Sequence, residues 1–444
     1  MRVRIFSCHA SRFEIASGVM RQEEIPPQKI FYGWVITAIV FLNLAMGYGA
    51  QYSFGVLFPS LIEEFKWNRQ SLAGAFSLYT FMYSVLGMIL GPLTDRFGPR
   101  IVLIFGSACL GLGIGLISQV KTVWHIYIVY GLLASWGMGA VYITSNPTIV
   151  KWFIEKRGQA LGFAQSGQGI GIILLPPLIG SLISTFGWRP ACIILGGLVF
   201  IILFTTSFFL IGQPEKIGLQ PDGRQNKPSA RSLNAARRGI DQEDNWSVGE
   251  AIRTRSFWIL TSLFFCTWLF VFLPLVHLVI FVMDLNLSKE VALIALGVLG
   301  GFATLGRITM GFISDRIGRK KTLMINLCLQ IFSWLWIMGT TKSWMIFLFA
   351  TVFGFSYAGI TALFPAIVGD YFGRLKAASI IGAMFTIAGS AAAMGPLVGG
   401  YLYDLMKSYQ LAFLLGALTN LLSLILLFVS QPPPKYNSMS MFRG

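Results

Sequence analysis

Twelve apolar stretches, each about as long as a bilayer is thick, leave this chain few folds to choose from. They run over 33–58, 70–93, 101–119, 124–149, 159–184, 188–211, 256–282, 289–313, 321–339, 344–368, 377–403 and 409–430. A helix of about 20 apolar residues crosses the hydrocarbon core, whereas a barrel strand needs only about 10. Inside lipid every backbone N–H and C=O must find a partner within the protein, so stretches of this length are read as helices. Only 12% of the 444 residues are charged, against about 25% in soluble domains. The reading is an all-α, multi-pass membrane protein of twelve transmembrane helices.

The chain also repeats itself. GPLTDRFGPR, Gly91 to Arg100, returns as GFISDRIGRK, Gly311 to Lys320, at an offset of 220 residues. Trp152-Phe153 matches Tyr371-Phe372, and Pro177-Leu178-Ile179-Gly180 matches Pro396-Leu397-Val398-Gly399, both at 219. Two pseudo-symmetric six-helix bundles in parallel orientation follow, over 33–211 and 256–430. Around them stand an N-terminal tail (1–32), a linker (212–255) and a C-terminal tail (431–444). The linker is rich in Pro, Gly, Asn and Arg and is expected to be largely flexible. Near its end Ser247 and Glu250 fit a capping box that opens a short helix through Arg253. The N-terminal tail has no signal-peptide core, and either Met1 or Met20 can serve as the start.

Charge sets the orientation. Of the 34 Lys and Arg, 26 fall on the side of the linker and both tails, 7 on the opposite side, and Arg307 on neither. By the positive-inside rule both termini are cytoplasmic, in a bacterial-type inner membrane or a plasma membrane. The net charge of +16 therefore belongs to the membrane surface and not to nucleic acid. The five cysteines show no paired spacing, so neither a disulfide framework nor a metal site is expected. His9, His125 and His277 stand far apart, and no glycine-rich loop ends in GK[ST]. No enzyme motif and no cofactor are implied, so energy has to come from an ion or solute gradient.

Arg307 lies inside the eighth stretch, eight residues before Asp315. An arginine at bilayer depth costs about 2.5–3.5 kcal/mol on insertion scales and by default faces a bundle interior or wet cavity. The bland alternative is a side chain that snorkels to the interface. Its planar fork can take a carboxylate through two parallel hydrogen bonds. Tyr52 and Asn146, with Gln51 and Gln168, are further polar residues in spanning stretches, for which helix–helix glue is the more common role. His277 is the best protonatable candidate, although it sits toward the outer end of its helix, because all 18 acidic residues lie in tails, loops or helix ends. A lone histidine there is more often a packed, hydrogen-bonded one. The two charged loops are read as gates. Asp95 with Arg96 and Arg100, and Asp315 with Arg316 and Arg319, should each meet the positive start of a helix in the other half. Arg374 and Lys376 are the expected partners of Asp95, and Lys156 and Arg157 those of Asp315.

The two loops, Gly91…Asp95-Arg96…Gly98…Arg100 and Gly311…Asp315-Arg316…Gly318-Arg319-Lys320, resemble the loop signature of the major facilitator superfamily. Tyr32-Gly33-Trp34, the run from Lys151 to Gly171, Phe186-Gly187-Trp188-Arg189 and Arg307 resemble its monocarboxylate and oxalate–formate porter branch. The resemblance implies the major facilitator fold, with a substrate site near the midplane between the halves. It implies that Arg307 grips the carboxylate of a small organic anion, and that Tyr142 and Tyr357 hydrogen-bond it. The implied function is proton-coupled transport of a small monocarboxylate such as lactate, pyruvate or acetate. There are departures. The aspartate that animal carriers place one turn before the arginine is Ala303 here, and their lysine late in the first helix aligns with Tyr52. The central lysine of the oxalate carrier's eleventh helix is absent between Ala377 and Tyr403. Anion exchange, drug–proton antiport and a nutrient sensor on a transporter scaffold are the alternatives.

Overall fold

The structure, a computed structural model, describes residues 31–67, 69–223 and 246–434. It is all-helical over those residues, with no strand among them. Eleven helices are long and apolar enough to cross a membrane, and twelve when one bent pair is taken as a single span. In chain order they are α1 (Tyr32–Phe65), α2 (Arg69–Val85 with Gly87–Phe97), α3 (Pro99–Gly115), α4 (Val123–Trp152) and α5 (Arg157–Phe186). Then come α6 (Trp188–Phe209), α7 (Arg255–Leu269 with Phe272–Asp284), α8 (Lys289–Ile317) and α9 (Arg319–Met338). The last three are α10 (Ser343–Phe372), α11 (Ala377–Met406) and α12 (Gln410–Val429). The bend in α2 is 44°.

The repeat expected from sequence recurs in the backbone. Positive φ angles fall at Lys66 and Asn286, at Gly98 and Gly318, and at Gly187 and Lys407, and each pair is 220 residues apart. Asp95 and Asp315 do not lie in loops, contrary to the sequence reading. Both are in the last turns of helices, and each connection narrows to one glycine, Gly98 at φ +86° and Gly318 at φ +95°. A helix that ends in such a residue can reverse its course without a longer loop.

The backbones of the two halves approach most closely at two helix crossings, α5 on α8 and α2 on α11. A Cβ added at Gly162 would strike the carbonyl oxygen of Arg307, and one at Gly382 would strike that of Gly87. These two contacts are images of each other, since Gly162 and Gly382, like Gly87 and Arg307, are 220 apart. Gly158 and Gly311 press on each other's backbones in the same way, as Gly91 does on Ala378. Without a hydrophobic force between helices in lipid, backbone approach of this kind is what drives packing. The crossings lie toward the linker side. Toward the other face Gly297, Gly300 and Gly301 of α8 have nothing within 4 Å of a built Cβ. The bundles therefore close on the linker side and part toward the far face.

The linker is more ordered at its ends than composition suggests. Asp222 accepts backbone N–H bonds from Ile154 (3.0 Å), Glu155 (2.9 Å) and Lys156 (3.3 Å), at the start of α5. The Ser247–Glu250 capping box is formed and opens the helix Val248–Ile252. Residues 224–245 and both tails beyond 31 and 434, with the choice between Met1 and Met20, lie outside the described residues.

A leucine at Gly382 would collide with the Gly87 backbone, and overpacking of this kind costs about 1–3 kcal/mol. Gly382→Leu should therefore shift the protein away from the linker-side-closed state. A cysteine at Thr361, on the cavity wall, should then react several-fold faster with an impermeant thiol reagent added from the linker side. Unchanged labelling would count against these crossings as the seal.

Candidate functional site: a central cavity around one buried arginine

Between the halves lies a cavity of about 630 Å³, open solvent at its mouth included. Arg307 of α8 reaches into it and is 4% exposed. Its Nη2 donates to Gln168 Oε1 of α5 at 3.1 Å, a bond that crosses from one half to the other. Its Cζ lies 5.7 Å from the centroid of the Tyr357 ring. The Nε is buried with no hydrogen-bond partner, and among the described residues no carboxylate pairs with the guanidinium. A buried charge is normally paired, so an orphaned one calls for an explanation.

Of the tyrosines named from sequence, Tyr52, Tyr142 and Tyr357 all line this cavity. Asn146 does not. Its Oδ1 accepts from Gln165 Nε2 (3.1 Å) and its Nδ2 donates to the Tyr142 carbonyl (3.3 Å). It is a support behind the wall, and Gln165, like Gln168, is an amide on the wall. His277 is also absent from the lining. Its ring nitrogens are 3.1 Å from the Tyr409 hydroxyl and 3.1 Å from the Pro396 carbonyl. Since a carbonyl only accepts, Nε2 carries the hydrogen there and Nδ1 accepts from Tyr409. The sequence reading did not single out Tyr48, Tyr83, Trp268 and Phe385. Tyr48 could have been found, because it stands one helical turn from Tyr52 on α1. Phe385 of α11 stacks on Tyr142 of α4 with centroids 4.3 Å apart, so an aromatic pair bridges the halves beside the arginine.

Residues 39–309 and 301–440 match the family model of the Major Facilitator Superfamily. The chain belongs to that superfamily. It is 28% identical over 398 residues to the oxalate:formate antiporter of Oxalobacter formigenes, covering 88% of this chain and 90% of that protein. It is 27% identical over 406 residues to monocarboxylate transporter 4 of Rattus norvegicus, covering 89% of this chain and 82% of that one. Among solved structures, FucP in the outward conformation superposes with a TM-score of 0.69 at 13% identity, over 91% of this chain and all of that one. The proton:xylose symporter XylE gives 0.69 at 15%, over 90% and 95%. These two likenesses show the fold alone.

In this facilitator the linker-side seal carries the charged residues of the repeat, although not in the expected pairs. Asp95 does meet the start of α11, but through the Ser379 N–H (2.8 Å) and hydroxyl (2.6 Å) and not through Arg374 or Lys376. Its other oxygen pairs with Lys151 of its own half at 2.7 Å. Asp315 likewise takes the N–H groups of Gly158 and Gln159 at the start of α5, both at 2.8 Å, and the Arg319 guanidinium at 2.9 Å. Orphan N–H groups at the start of a helix are already held in place, and they meet each aspartate where a cation of the other half was expected. The arginines go elsewhere. Arg157 pairs with Asp370 of α10 at 2.5 Å, and Arg319 approaches the same carboxylate at 3.1 Å. Arg374 pairs with Glu215 at 2.6 Å and donates to the Lys151 carbonyl at 3.2 Å. Arg96 and Arg100 are exposed and lie over the rings of Phe97 and Phe208, and Arg316 is exposed. Those three take no place in the seal. Asp370, Lys151 and Glu215 take their place, and none was foreseen.

The Asp95 and Lys151 side chains are 2% and 6% exposed, and breaking such a buried pair costs about 3–5 kcal/mol. Asp95→Asn should therefore lower the thermal unfolding midpoint of the purified protein. Arg96→Gln, at an exposed position, should stay within about 0.5 kcal/mol of the parent. Equal midpoints for the two variants would remove Asp95 from the seal.

Proposed function

We propose that this facilitator carries a small monocarboxylate of the lactate, pyruvate or acetate type by alternating access. One observation supports this above the rest: a buried guanidinium whose one cavity partner is a neutral amide and whose Nε–H is unspent. A carboxylate is the anion whose two oxygens match that fork. Tyr52 and Tyr142 line the cavity from one half and Tyr357 from the other, and their hydroxyls are the neutral donors proposed for the anion or an adjacent hydroxyl. Arg307 is the one cation among the lining residues, which suits a monoanion better than a dianion. The relatives named for monocarboxylates and for oxalate and formate agree with an organic anion. We read the linker side as cytoplasmic, from the 26-to-7 division of Lys and Arg, in an inner or plasma membrane. The seal of Asp95, Asp315, Arg319, Arg157 and Arg374 then closes the cytoplasmic side of an outward-open state.

Proton coupling through His277 has less support than the sequence suggested, because both ring nitrogens are engaged away from the cavity. No carboxylate or imidazole is among the residues that line it. This favours a second reading for the energy source, exchange of one carboxylate for another.

Proteoliposomes separate these readings. The parent should take up labelled lactate, pyruvate or acetate, and Arg307→Ala should lower uptake about 100-fold, for two lost bonds of about 1.5 kcal/mol or more each. Wild-type uptake of every carboxylate in that variant would end the proposal. Uptake that follows a proton gradient in vesicles without internal anion indicates symport, and uptake that requires internal carboxylate indicates exchange.

A further inference from the structure

A cleft on the linker side of the C-terminal half plays no part in the cavity, and it touches the seal only at Arg319. The ends of α8, α9 and α12 meet there, and the space measures about 800 Å³ to its mouth. Ile317, Met324, Leu427 and Phe428 make an apolar floor, and Arg319, Lys320 and Lys321 make a basic rim. Lys320 is held in place, its Nζ donating to the carbonyls of Phe428 (3.2 Å) and Ser430 (2.7 Å) at the end of α12. Lys321 is exposed.

The repeat shows that the fold does not require this charge. The equivalent positions 220 residues earlier are Pro99, Arg100 and Ile101, one cation where the C-terminal half has three. That cation, Arg100, lies over the Phe208 ring at 4.6 Å. Orientation by loop charge would explain extra lysines, but not a recess with an apolar floor beneath them. An apolar floor under a basic rim, at the membrane end of three helices, fits an amphiphile with an anionic head. Free phosphate would use the rim and leave the floor empty.

We propose that this cleft binds an anionic phospholipid, with the headgroup phosphate at Lys321 and Lys320 and the upper acyl chain along the exposed Phe428 and Ile317. The site depends on neither the identity of the substrate nor Arg307.

Native mass spectrometry of the full chain, released from nanodiscs of phosphatidylcholine with and without phosphatidylglycerol, tests this. Phosphatidylglycerol should be retained in preference to phosphatidylcholine. Lys321→Gln should lower that retention about fivefold, the usual effect of one basic residue at a lipid surface. Lys321→Arg should preserve it, as should Lys342→Gln on the far face. Equal retention of the two lipids, or undiminished retention in Lys321→Gln, would overturn the proposal. So would loss of the bound lipid to inorganic phosphate.

Discussion

The crossing of α5 over α8 is the contact on which the rest depends, because it joins the seal to the charge. Gly162 meets the carbonyl oxygen of Arg307, and Gln168, on the same helix, takes that arginine's Nη2–H. One residue thus gives its backbone to the closed side and its guanidinium to the cavity. A motion that parts α5 from α8 would disturb both contacts. An anion that replaces Gln168 on the guanidinium alters a bond between the halves, so binding and rearrangement share an element. The partner crossing, α2 with α11, repeats the backbone contact at Gly87 and Gly382 without the charge. The fold is two-fold, and the chemistry is placed on one side of it.

Much of this was legible in the sequence, because the bilayer imposes it. Twelve apolar stretches leave little alternative to helices, and a 220-residue repeat orders them into halves. The placement of Arg307 could be read because a guanidinium at that depth has few stable surroundings. What could not be read was which charge meets which. A repeat reveals equivalent positions within each half but not the contacts across them. Lys151 and Asp370, equivalent at an offset of 219, carry opposite charge, and each serves a different pair. The aspartates were matched to arginines by charge, whereas the structure gives them backbone N–H groups, which sequence does not display. Tyr48 and Tyr83, the cavity tyrosines not named from sequence, were obscured for another reason. With 14 in the chain, residue type alone cannot separate Tyr48 on the cavity wall from Tyr130, which stacks on Phe54 at 3.8 Å in the interior of the N-terminal half.

The seal combines two kinds of contact with different tolerance to change. The glycine crossings are a matter of shape, and they lose their energy when a few tenths of an ångström are added. The capping aspartates are a matter of charge, and they hold as long as the helix starts of the other half stay within reach. On the proposed alternating-access reading, both would release for the linker side to open. This sets the two ends of the carrier against each other, since α8 has small residues toward the far face as well, at Gly297, Gly300 and Gly301. The far face of α8 thus has the same allowance for close approach that the linker side already uses.

Electrostatics then bears on which form of the carrier can pass between its two states. Passage requires an interval in which the cavity is shut from both sides. A lone guanidinium taken out of water carries a penalty of several kcal/mol unless it is paired and hydrogen-bonded. Gln168 and the tyrosine rim offset only part of that, because they are neutral and the Nε–H stays unmatched. On the proposed reading, a bound monocarboxylate would cancel the charge and fill the remaining donors, so the loaded cavity would close at less cost than the empty one. A dianion would leave an excess negative charge, and a neutral solute would leave the arginine as it was. If the proposed function holds, a carrier built this way would return faster with cargo than without, and that asymmetry would favour exchange.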